Sequence, residues 1–176
     1  VHTQQSFMEA QLDTVSFTAR TLLPLVGGEF WFTGENGAPG TIERDRYTAL
    51  SLLGEWDGNM NEHLAEPLIY SAWMRALQDR LIRDEIGPLA DTFIHVEPLF
   101  IERVFRDVEG AAQWCDIVQS SPVETCRDIA DLALNDAITS LKETYGGSIE
   151  ALRWGDAHQA THLHMALGQT PLFKYN

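Results

Sequence analysis

Apolar positions recur at helical spacing along almost the whole chain. Met8, Leu12, Val15, Ala19 and Leu22 repeat at intervals of three and four behind Thr3, a good N-cap, and predict a first helix that stops near Pro24. Thr41 heads a second helix, whose Ala49, Leu50, Leu52, Leu53 and Trp56 share one face and which ends at Asp57-Gly58. Pro67 suits the first position of a third, with Ile69, Trp73, Leu77 and Leu81 every four residues and Arg75, Asp79, Arg83 and Asp84 on the outer side. Gly87-Pro88 break it, and Leu99, Phe100, Val104 and Phe105 repeat the pattern more briefly before a short helical piece toward Trp114-Cys115. Ser121-Pro122-Val123-Glu124 has the form of a capping box and predicts the start of a long helix. Its stripe is Ile129, Ala133, Ala137, Leu141 and Tyr145, small in the middle, and Gly146-Gly147 close it. A last turn around Ala151-Leu152 precedes Trp154-Gly155 and a His-rich tail ending in Thr170-Pro171-Leu172-Phe173.

No alternating segment is long enough for a sheet, and no internal repeat occurs. The pattern therefore predicts an all-α fold, an irregular bundle of about five to seven helices with one long loop, Gly27 to Gly40. That loop carries Phe30-Trp31-Phe32, three aromatics that must pack either on this domain or on a neighbouring one.

The chain has 176 residues, of which 44% are hydrophobic and 22% charged, which suits one globular domain able to bury its own core. Its net charge of −14 would be repelled by phosphate backbones and anionic lipid, so neither nucleic acid nor a membrane surface is expected as a partner. No stretch approaches the ~18 uninterrupted apolar residues of a spanning helix, and Val1-His2-Thr3-Gln4-Gln5 is no secretory leader. A start at valine suggests that a leader or an upstream part has been removed. The two cysteines, Cys115 and Cys126, are compatible with a short disulfide across a turn and equally with two buried thiols.

Three constellations are candidates for chemistry. Asp156, His158, His162 and His164 include histidines spaced to share a metal with a carboxylate. Gln159, however, stands where a zinc protease has its glutamate and cannot take a proton, so histidines capping a helix end or packing beside Trp154 are the commoner reading. Asp57, Asn59 and Asn61 imitate a calcium loop, but Glu62 replaces the needed glycine and Leu68 the bidentate glutamate, which leaves a turn with polar caps. Ser148 follows two glycines without the G-x-S-x-G elbow or a preceding strand and reads as a helix N-cap. Residue chemistry alone names no catalytic site.

The order of several landmarks nevertheless resembles a known family. Gln11-x-Asp13 with Ala19 and Leu22-Leu23-Pro24, Leu53 before Trp56-Asp57-Gly58, and Trp73 are similar to the later part of penicillin amidases (penicillin acylases). Trp114-Cys115-Asp116, Glu124-Thr125-Cys126, Leu141 before Tyr145-Gly146, and Trp154-Gly155 with His158 resemble the closing landmarks of the same helical region. The resemblance implies an N-terminal-nucleophile hydrolase, in which self-cleavage exposes a serine whose hydroxyl attacks an amide while its own α-amino group acts as base. It also implies a four-layer αββα core upstream of this segment, holding the serine, the oxyanion asparagine and the calcium ligands. With Val1 first and no Ser-Asn start, no catalytic, cofactor or metal residue carries over.

What carries over is structural: the turn at Trp56, the helix around Trp73, and Cys115 with Cys126, which match a cysteine pair of periplasmic members and so imply a disulfide and a periplasmic or secreted location. The expectation is a single helical domain, residues 1–176, cut from a larger acylase chain and inactive alone. Its partners would be the catalytic sheets and small chain of the acylase. Phe30-Trp31-Phe32 and Leu172-Phe173 would be bared surfaces through which it dimerises. The rival readings are a free-standing acidic helical interaction module and a metal-dependent hydrolase built on His158, His162 and His164.

Overall fold

The structure, a computed structural model, describes residues 17–28, 36–93, 95–118 and 120–159. Among these every regular element is helical: α1 over 17–27, α2 Ile42–Glu55, α3 Glu66–Ile86, α4 Pro98–Phe105, α5 Cys126–Tyr145 and α6 Trp154–Ala157. Short 3-10 segments at Gly87–Thr92, Val108–Cys115 and Ile149–Ala151 join them. The fold is an irregular all-α bundle, and no strand occurs among the described residues.

α3 and α5 form its axis. α3 has Pro67 in its first turn, carries helix formers such as Ala72, Met74, Ala76 and Leu77 through its middle, and stops at Gly87, whose φ of 56° a side chain would resist. Its inner face, Ile69, Trp73, Leu77 and Leu81, is fully buried against Ile129, Ala130, Ala133, Leu134, Ala137 and Ile138 of α5. The alanines of α5 let the two backbones approach, so the Trp73 indole N–H reaches the Ala130 carbonyl at 2.9 Å. α2 adds Ala49, Leu50 and Leu53, and α1 adds Ala19, Leu22, Leu23 and Val26. Ion pairs border the seams: Lys142–Asp45 and Arg46–Asp131 between α2 and α5, and Arg80–Asp136 between α3 and α5.

Four expectations are corrected. α1 continues through Pro24 to residue 27, which a helix tolerates within its last turns when neighbouring packing holds it; Leu22, Leu23 and Val26 are all buried there. α2 ends at Glu55, leaving Trp56 as an extended C-cap. The long helix begins at Cys126, not after Ser121. Ser121-Pro122 is a cis peptide in the preceding turn, and the capping box is Thr125 with Asp128, each side chain bonding the other's backbone N–H. On the amphipathic faces, Leu99 is 73% exposed while Ile101 and Val104 point inward, and Tyr145 is 42% exposed where the α5 stripe leaves the core. Phe30, Trp31, Phe32, Leu172 and Phe173 lie outside the described residues.

Candidate functional site

The turn at Asp57 takes its shape from side chains that bond local backbone. Asp57 Oδ1 accepts the Asn59 N–H at 2.8 Å and Asn61 Oδ1 accepts the His63 N–H at 2.9 Å, both Asx turns. The Trp56 indole donates to the Asn59 carbonyl at 2.9 Å and packs against Tyr70 with ring centres 5.5 Å apart, where burial pushes the Tyr70 hydroxyl well above its usual range. Arg20 of α1 donates to the Asp57 carbonyl at 2.6 Å.

Trp154 and Gly155 then close on the same turn from the far end of the chain, through Trp154 N–H to Leu64 O at 2.9 Å and Gly155 N–H to Glu62 O at 2.8 Å. A Cβ at Gly155 would sit 3.1 Å from that Glu62 oxygen, so the approach favours glycine. Three segments distant in sequence are thus fastened at one corner.

A second fastening was not expected from the sequence. Gln78, 4% exposed, donates from Nε2 to the Phe93 and His95 carbonyls and accepts the Glu97 N–H at Oε1, so one amide holds the loop that enters α4. The available signal was a glutamine on an inner face, four residues after Met74 and four before the buried Ile82.

Cys115 and Cys126 are joined, Cα–Cα 4.9 Å, linking the 3-10 segment Val108–Cys115 to the first residue of α5. Ser148 stands at the N-cap position of Ile149–Ala151, but its hydroxyl makes no cap bond. Asp156 is exposed on α6, and His158 stacks on Trp154 with ring centres 4.8 Å apart. His162 and His164 lie outside the described residues, so of the four-residue constellation the structure describes Asp156 and His158 alone. Among the described residues, no three His, Cys, Asp or Glu side chains are grouped to hold a metal ion.

A cavity of about 710 Å³ opens along α3 and α5, with Phe93 and Trp154 among its lining residues. Its acids are already engaged: Asp79 and Asp91 both bond Arg83, whose guanidinium they hold above its ordinary value, and Asp136 bonds Arg80. No histidine is among its described lining residues. Elsewhere, two hydroxyl–carboxylate pairs have the reach that nucleophile activation requires, Ser120 with Glu124 at 2.6 Å and Thr125 with Asp128 at 2.6 Å.

Thr125 with Asp128 is the capping box of α5, and Ser120 with Glu124 is a contact within the preceding loop. The Ser120 hydroxyl and Ile117 N–H hold the Glu124 carboxyl below the usual carboxylate range, as the Thr125 hydroxyl and backbone hold Asp128. A carboxylate so stabilised is a poor proton acceptor at neutral pH, so these arrangements position backbone and do not activate a nucleophile.

Trp56, Asp57, Trp154 and Gly155 at the Asp57 turn, and Trp73 between α3 and α5, are among the landmarks that carry the family resemblance. No match was found among curated proteins or among solved structures. The model of the penicillin amidase family matches residues 1–176, the full length given, and the chain belongs to that family.

Proposed function

We propose that this chain is the helical part of a penicillin-amidase-like acylase and braces catalytic layers that other parts of the same protein supply. The family match along the whole chain carries the reading. The placement of the landmark tryptophans at helix junctions supports it, because these side chains fix geometry instead of handling protons. In the intact enzyme an N-terminal serine attacks the carbonyl of a linear amide, on a β-lactam antibiotic or an acyl-homoserine lactone. Its hydroxyl proton passes to its α-amine, and the amide nitrogen leaves with a proton. Water then releases the acid from the acyl-serine. No residue of this chain is assigned to those steps, and no cofactor or metal is assigned to it.

The helices form one domain in this reading, with the catalytic sheets and the small chain as its partners and dimerisation a by-product of bared apolar faces. A periplasmic or secreted location fits a joined Cys115 and Cys126. Reading the gene on both sides of this segment tests the proposal. An in-frame upstream segment led by a serine at a processing junction is expected. A reading frame that encodes only these helices contradicts it and leaves a free-standing interaction module. With a chromogenic phenylacetyl amide, the chain alone should give no turnover, and turnover would show that the active site lies within it.

A further inference from the structure

Between the bridged cysteines, the described residues of the loop, 116–118 and 120–125, are held mainly by polar contacts. Val118 is 50% exposed and Val123 68% exposed, so of its aliphatic side chains only Ile117 packs against the core. Besides the Ser120 N–H bond to the Ile117 carbonyl at 2.9 Å, carboxylates attach the loop. Glu124 accepts the Ile117 N–H at 3.1 Å and the Ser120 hydroxyl at 2.6 Å, and Asp84 reaches from α3 to accept the Val118 N–H at 2.9 Å.

We propose that this loop is an acid-released strap, latched by the Glu124 carboxylate and able to open while its two ends stay bridged and the α3–α5 core stays folded. Of the charged groups, Asp128 on α5 acts on Glu124 directly and Asp84 of α3 bonds the Val118 N–H, while Asp116 and Arg127 flank the loop in sequence. Glu109 on the preceding 3-10 segment is engaged with Arg103 of α4. Asp128 opposes the charge on Glu124, and the bonds from Ser120 and Ile117 favour it. The closed loop therefore prefers the ionised carboxylate. Closure is fully held above the ordinary glutamate range and is lost as the pH falls through and below it. Protonation turns two charge-assisted bonds into weaker neutral ones, with little buried apolar surface to compensate.

Amide hydrogen exchange on the full chain, corrected for intrinsic rates, tests the strap. In Glu124→Gln at pH 7, protection at Ile117 should fall by about tenfold, as expected when a charge-assisted bond becomes neutral. The wild-type chain should show a similar loss between pH 7 and pH 3, while amides along the buried seam near Ala130 and Leu134 keep their protection. Unchanged protection at Ile117 in the variant at pH 7 would overturn the proposal. So would loss of seam protection in parallel with the loop, which would make the event global unfolding. If the variant does not fold, the wild-type pH series decides alone: retained protection at Ile117 down to pH 3 overturns the strap.

Discussion

The α3–α5 seam and the stretch from Phe93 to Thr125 lie against one another and are stabilised by different physics. The seam is almost wholly apolar, with Trp73, Leu77 and Leu81 facing a run of small and branched residues on α5; the Trp73 indole bonds the Ala130 carbonyl across it, and the Arg80–Asp136 ion pair borders it. The stretch is mostly short helical pieces and turns with left-handed residues at Asp107, Glu109 and Gly110, and polar and covalent links fix it: the Gln78 amide, the Cys115–Cys126 bridge and the carboxylates of Asp84 and Glu124. A helix pair with whole turns to bury can rely on hydrophobic burial. The stretch buries less, chiefly Ile101 and Val104 of α4, and its turns add directed bonds to that burial.

Substitutions should separate the two regions by size and by kind of loss. The largest effect is expected from Trp73→Ala, which removes a fully buried ring and its bond to Ala130 and should cost roughly 4 kcal/mol in denaturant unfolding. Removing the bridge with Cys115→Ala and Cys126→Ala should cost about 3 kcal/mol by the chain-entropy argument for a loop of this size. Intact mass without reductant checks the bridge itself, and two free thiols would also count against an oxidising compartment. Gln78→Leu leaves two carbonyls and one N–H of the 93–97 loop without their partner and should cost about 2 kcal/mol, with exchange protection lost around Glu97 before the seam is affected.

Thr125→Ala breaks the capping box and should cost about 1 kcal/mol, read as fraying of the first turn of α5. The smallest effect is electrostatic. Glu124 and Asp128, both held below the ordinary carboxylate range, add stability that is complete above that range and declines as pH falls through it, so the unfolding midpoint should drop on acidification, and less so in Asp128→Asn.

The same division explains what could be read in advance. The two faces of the seam follow from period alone, Ile69, Trp73, Leu77 and Leu81 on one helix and Ile129, Ala133, Ala137 and Leu141 on the other, but period does not say that they pack on one another. The start of α5 was misplaced because Ser121-Pro122-Val123-Glu124 satisfies a capping pattern whose glutamate is in fact spent on Ile117 and Ser120, while Asp128 serves the real cap at Thr125. Gln78 stood out only as a polar residue on an inner face; its partners are backbone atoms fifteen to nineteen residues away, which no side-chain pattern encodes. The turn at Asp57 was legible as polar caps, since Asx turns are local, but its closure by Gly155 was not. Of the candidate metal residues, the structure speaks only to Asp156 and His158.

Covalent labelling tests the central claim most directly: these helices fasten an acylase and do not themselves cut amides. The purified chain, treated with a serine-directed sulfonyl fluoride and weighed intact, should show no adduct. A stoichiometric adduct on any serine of this chain would contradict the account.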